Sequence, residues 1–175
     1  DAFIAKLNSS GELQWNTFVG GPDDDEGHGI AVGGNGNVYI VGRSKTTWGT
    51  PLNAYTGSED AFVAKLNSSG ELQWNTFLGG SDRDYGEGII VDSGDNVYVT
   101  GSSESTWGSP VNAYAGDDDV FVAKLNSSGA LQWNTFIGCS SSDEGYSIAV
   151  DGSDNVYVAG TSNATWGSPV NGHEG

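Results

Sequence analysis

An all-β fold of tandem, four-stranded antiparallel units is what this sequence predicts, and three observations predict it. The 18 residues from Asp60 to Phe77 recur almost unchanged from Asp1 and from Asp119, at a constant step of 59 residues. That step divides the 175-residue chain into three units, 1–59, 60–118 and 119–175, and a fixed period of some tens of residues signals a repeat architecture. Apolar residues alternate over short runs bounded by turn chemistry, and no stretch carries them at helical spacing across three turns. The 28 glycines and plentiful aromatic residues suit short strands and tight turns better than helices.

The middle unit shows the elements in order. Over residues 60–67, Phe62, Ala64 and Leu66 face one way and Ala61, Val63 and Lys65 the other. Residues 67–70, Asn-Ser-Ser-Gly, are turn chemistry. Residues 72–78 form a second strand with Leu72, Trp74, Thr76 and Leu78 on one face, so the two runs read as a hairpin. A polar loop over 79–86 leads to a third strand, 88–91; a tight turn over 92–95 leads to a fourth, 96–101. A long irregular loop, 102–118, reaches the next unit. Several of these strands are apolar on both faces, as a sheet packed between two other sheets requires. Four antiparallel strands, covered on both sides and repeated, describe the blade of a β-propeller.

The residues also match a known family. The run Asp60-Ala61-Phe62-Val63-Ala64-Lys65-Leu66-Asn67, the strand end Trp74-Asn75-Thr76-Phe77-Leu78-Gly79-Gly80, the Gly-Ile-Ala-Val-Asp type of turn and the strand Asn96-Val97-Tyr98-Val99-Thr100-Gly101 resemble the SBBP β-propeller repeats. The resemblance covers the whole chain. It implies blades, a place in secreted or surface proteins of bacteria and archaea, and no shared catalytic activity. Gly33 and Gly34 depart from the usual Asp after the third strand, and Trp48, Trp107 and Trp166 stand where Phe-Pro-like residues are usual.

The innermost strand of such a blade is the Gly-Ile-Ala-Val type and the outermost the Leu-Gln-Trp type. The chain therefore opens on the third and fourth strands of one blade, residues 1–20, and closes on the first and second of another, 145–160. These are complementary halves, each with a bare strand edge. Joined within one chain they would make a ring of three blades, and propellers have about four to eight. The expectation is a composite blade shared between copies: a two-fold homodimer of six blades, with an open filament as runner-up. Phe3, Leu7, Leu13 and Trp15 would then be buried against Ile148, Val150, Val156 and Val158. A chain that begins and ends inside its repeat reads as a processed protein or a stretch of a longer array.

Composition narrows the partners. With 6 Lys+Arg against 23 Asp+Glu and a net charge of −17, the surface repels nucleic-acid phosphates and anionic lipids. A cation, a basic partner or a neutral glycan is compatible. No apolar run approaches the roughly 20 residues of a membrane-spanning helix. The single Cys139, replaced by Gly21 and Gly80 in the other units, has no internal disulfide partner.

Binding residues concentrate on loops held by a rigid scaffold. The turns at 8–11 and 33–36 share one end of the blades, and the acidic loop at 22–26 and the long loop share the other. The long loops carry Trp48, Trp107 and Trp166, then Asn53, Asn112 and Asn171, then Tyr55 and Tyr114, with His173 in the third Tyr position. Aromatic faces beside amides suit sugar rings; the competing reading is that each Trp plugs the gap between blades. Trp15, Trp74 and Trp133 lie on strands and read as core. Asp23, Asp25, Asp82 and Asp84 suggest accessory calcium. No acidic loop has the spaced Asp-x-Asp-x-Asp-Gly pattern, so solvated turn carboxylates compete with that reading. Lys6, Lys65 and Lys124 read as surface partners of carboxylates. Asn8, Asn67, Asn126 and Asn163 begin glycosylation triplets, a weak signal. His28 and His173 occupy non-equivalent positions, and no metal set, phosphate loop or nucleophile elbow appears, so no enzyme is expected. The expected role is a non-catalytic extracellular or cell-surface scaffold; the alternative is a multivalent glycan-binding propeller.

Overall fold

The protein is described from a computed structural model covering residues 1–174. It contains twelve strands: β1 (Ala2–Leu7), β2 (Leu13–Val19), β3 (Asp25–Val32), β4 (Val38–Ser44), β5 (Asp60–Leu66), β6 (Leu72–Leu78), β7 (Asp84–Val91), β8 (Val97–Ser103), β9 (Asp119–Leu125), β10 (Leu131–Ile137), β11 (Asp143–Val150) and β12 (Val156–Ser162). They form two complete four-stranded antiparallel sheets, β3-β4-β5-β6 and β7-β8-β9-β10, and two two-stranded sheets, β1-β2 and β11-β12. Each four-stranded sheet combines the last two strands of one sequence unit with the first two of the next. The two-stranded sheets are the half-blades expected at the chain ends, and among the described residues they are not hydrogen-bonded to each other.

The inner strand is longer than the sequence predicts. β7 begins at Asp84 rather than at residue 88, and the polar, glycine-bearing start of β3, β7 and β11 conceals it. A register shift between Gly86 and Gly88 lets the ladder continue through this segment. The glycine opposite is obligatory: a Cβ on Gly101 would sit 1.7 Å from the Tyr85 carbonyl oxygen.

Three apolar layers lie between successive sheets. Ala2, Ile4 and Val19 of the first half-blade pack on Val38, Ile40, Phe62, Ala64, Leu66 and Phe77. Tyr39, Val41, Val63 and Leu78 pack on Val97, Val99, Phe121, Leu125 and Phe136 of the second complete sheet. Tyr98 and Val122 pack on Ile148, with Val150, Val156 and Val158 beside it. Burial on both faces explains why β5 and β8 carry no polar alternation.

Candidate assembly interface

The repeat supplies its own control, because the two complete blades show what normally covers each residue of the half-blades. Phe3 is 68% exposed, whereas its equivalents Phe62 and Phe121 are fully buried. Leu7 and Phe18 are likewise exposed where Leu66, Leu125, Phe77 and Phe136 are buried. On the other half-blade Tyr157 is 58% exposed against 1% for Tyr98. Ile30 and Val32, on the inner strand of the first complete blade, are bare because inner strands are missing from the half-blade before it.

The sequence expectation for this seam needs three corrections. Trp15 faces the opposite way from Phe3 and Leu7. It already packs on the first complete blade, with its indole N–H donating to the Ser68 carbonyl at 3.2 Å. Ile148 and Val150 already lie on Tyr98 and Val122 of the preceding blade; Val156 and Val158 touch the same cluster but stay half-buried where Val97 and Val99 are fully buried. Leu13 is a weak marker of the seam, since in the complete blades its equivalent Leu72 is 42% exposed and Leu131 only partly buried. Alternation along a strand gives which residues share a face, but not which neighbouring sheet that face meets. Sequence reasoning therefore missed Phe18, Tyr157, Ile30 and Val32.

The long loops are plugs. Trp48 meets Phe62 and Phe77 edge-to-face at centroid distances of 5.3 and 6.0 Å, and Trp107 meets Phe121 and Phe136 at 5.5 and 5.9 Å. Both rings are buried, so neither offers a face to a sugar. Trp166 is 41% exposed, because the strands it would cover are absent from its sheet. Tyr55 and Tyr114 meet Phe77 and Phe136 edge-to-face, and their hydroxyls donate to the carbonyls of Ser58 and Glu104 at 2.8 Å. Burial, with the Asp119 carboxylate next in effect, pushes the Tyr114 phenol up to about 12. Asn53 and Asn112 keep exposed side chains, while their backbone carbonyls accept from the N–H groups of Phe77 and Phe136. The predicted sugar platform thus resolves into a loop laced along the outer edge of the blade.

The acidic residues also divide. Asp23 and Asp82 are exposed. Asp25 and Asp84 turn inward, where each accepts a hydroxyl hydrogen bond, from Ser44 and Ser103, and an N–H from Gly21 and Gly80. The pairs therefore do not converge on a shared ion, and among the described residues no three His, Cys, Asp or Glu side chains form a metal-holding group. Burial raises Asp84 to about 7, against the opposing Ser103 hydrogen bond. Lys65 and Lys124 lie over the rings of Tyr39 and Tyr98 at 5.2 and 4.8 Å, so their conspicuous partners are aromatic rather than the carboxylates expected. Asn8 and Asn67 spend their amides closing their own turns, donating to Glu12 and Glu71.

One cluster escaped the sequence reading because it belongs to a single unit. His28 bridges Glu87 (3.1 Å) and Glu26 (3.3 Å), joining the inner strands of the two complete blades. Arg43 pairs with Glu26 at 2.7 Å and Glu59 at 2.9 Å and lies over Tyr85. The Glu87 and Glu26 carboxylates lift His28 to about 9, and Arg43 and His28 hold Glu26 down at about 2. With both ring nitrogens so engaged, this histidine is a clasp between blades. The signal available in the sequence was variation: His28, Glu87 and Tyr146 occupy one repeat position in a chain that otherwise copies itself.

The profile of the SBBP beta-propeller repeat matches residues 14–53, 73–106 and 132–165. An uncharacterized WD repeat-containing protein of Acanthamoeba polyphaga mimivirus is 21% identical over 88% of this chain and 14% of its own length. The regulatory protein FlaEY of Caulobacter vibrioides is 27% identical over 87% of this chain and 17% of its own length. The chain thus spans less than a fifth of the curated relatives it matches. A crystal structure of a protein of unknown function from Bacteroides caccae is 13% identical, with a TM-score of 0.49 over 85% of this chain and 43% of that one. Since the profile finds one segment in each of the three units, and these units build the antiparallel sheets described above, the chain belongs to the beta-propeller repeat family.

Proposed function

We propose that this chain is a non-catalytic scaffold, extracellular or at the cell surface, whose task is to join repeat units by completing split blades. The β11-β12 half-blade of one copy takes β1-β2 of a second copy as its outer strands. The observation that carries this reading is the contrast between exposed Phe3, Leu7, Phe18 and Tyr157 and their buried equivalents in complete blades.

The complete blades give the register. Val97 faces Leu125, Tyr98 faces Lys124 and Val99 faces Ala123. One period on, Val156 faces Leu7 of the second copy, Tyr157 faces its Lys6 and Val158 its Ala5. Lys6 then lies over Tyr157, as Lys65 lies over Tyr39 and Lys124 over Tyr98. The pairing satisfies the open backbone groups of both edges and removes apolar surface from water. Two copies joined at both seams make six blades around a two-fold axis, which is the arrangement we favour; a different rotation at the same contact makes a filament. A flanking repeat on a longer chain offers the same complement.

Sedimentation tests the proposal. A particle of twice the 18.1 kDa chain mass is expected at micromolar concentration, reduced to a folded monomer by Leu7→Asp. A stable 18.1 kDa particle for the unaltered chain would overturn the reading. The cellular setting follows from the family resemblance and is checked by fractionating the source cells.

A further inference from the structure

We infer that residues 163–174 form a strap that closes over the second copy's β2 once the composite blade has formed, with Trp166 seated between Phe3 and Phe18 of that copy. The inference rests on the split-blade reading and names a contact that strand pairing alone does not require.

Each complete blade carries such a strap. In the first, the Asn75 amide donates to the Trp48 carbonyl at 2.9 Å, the Leu52 N–H donates to the Asn75 carbonyl at 2.9 Å, and the Phe77 N–H donates to the Asn53 carbonyl at 3.3 Å. In the second, Asn134 binds Trp107 at 2.9 Å, Val111 binds Asn134 at 2.9 Å, and Phe136 binds Asn112 at 3.2 Å. The strap thus adds a short extra edge to the outermost strand and presses its Trp onto two Phe rings of the sheet. The repetition of every bond in two blades makes the geometry a property of the unit.

The third strap keeps the Trp and the Asn, carries His173 in the Tyr position, and among the described residues has no outer strand to hold. Trp166 follows Trp107 by one period, and Asn171 follows Asn112. The receiving residues stand at the other end of the chain: Asn16, exposed where Asn75 and Asn134 are buried, and Phe3 and Phe18. The pairing across copies follows directly. Asn16 of the second copy donates to the Trp166 carbonyl, Val170 N–H to its Asn16 carbonyl, and its Phe18 N–H to the Asn171 carbonyl. The strap bars dissociation by a mechanism separate from the strand ladder: its aromatic plug must withdraw before β2 can leave.

The test measures self-association of the full chain by sedimentation and hydrogen exchange. Trp166→Ala should raise the dissociation constant by roughly 100-fold, since central aromatic anchors dominate interfaces. It should lower the monomer's melting temperature much less than Trp107→Ala does, because the Trp166 ring is 41% exposed where Trp107 is buried. Phe18→Ala in the same chain should add less than its own separate effect, the sign of a shared contact. The Phe18 and Val170 amides should exchange slowly only in the assembled particle. An unaltered dissociation constant for Trp166→Ala, in a chain whose assembly Leu7→Asp abolishes, would overturn the strap and leave the split blade standing. A chain monomeric without any substitution would overturn both.

Discussion

β1 and β5 differ in one residue over their shared six, Ile4 against Val63, yet they live in opposite environments. β5 lies inside a four-stranded sheet with a neighbouring sheet on each side, and nearly all of it is buried. β1 has one strand partner, and Phe3 and Leu7 stand in water. β8 and β12 repeat the contrast at the other end, through Tyr98 and Tyr157. The same side chain is core in one unit and exposed in another. The lesson is that a repeat's sequence states what each residue needs, while its place in the array decides whether this chain meets the need. On the split-blade proposal, the complete blades show what would cover each half-blade.

The widest break in that comparison should come from paired substitutions. Phe62→Ala should destabilise the folded chain by about 3–5 kcal/mol, as a truncated buried ring does. Phe3→Ala in the monomer should cost under about 0.5 kcal/mol, as exposed substitutions do. Chemical denaturation of both variants under dissociating conditions checks the difference, and similar losses would mean that Phe3 is already covered.

The next test uses acid. Asp84 holds its proton in the folded chain up to about 7 but releases it near 3.8 when unfolded. Unfolding between these values releases a proton, so stability is highest below pH 4 on this account and falls as pH rises to about 7, by roughly 2–4 kcal/mol. Asp84→Asn should flatten that slope in pH-dependent melting curves. His28 acts in the next window: its charge stabilises the chain fully below 6.5, and the gain is lost as pH rises through about 9. His28→Gln should remove that decline and leave the slope below pH 6 intact. Glu26, held at about 2, works the other way, contributing above its ordinary value of 4.5 and fading as pH falls toward 2.

The smallest effects are expected where complete and half-blades agree. Leu13→Asp and Leu72→Asp should each shift stability by less than about 1 kcal/mol, because both positions stay exposed. A chelator should move the melting temperature by no more than a degree or two, since Asp25 and Asp84 satisfy hydroxyl and N–H donors; a fall of tens of degrees would place calcium in the fold.

The sequence by itself determined the strands apart from the polar start of the inner ones, the period, the antiparallel four-stranded unit and the half-blades at the two ends of the given chain. These are local or repetitive facts: alternation, turn residues and a step of 59 suffice. It left the loop tryptophans open between platform and plug, and packing against Phe62, Phe77, Phe121 and Phe136 makes Trp48 and Trp107 plugs. It put Trp15 on the wrong side of the seam, because strand alternation names two faces without saying which sheet each one meets. It passed over the His28 clasp, whose partner Glu87 lies one period away on another blade. Burial, ion pairing and pKa depend on distances between segments far apart in the chain, and those distances exist only once the sheets have stacked.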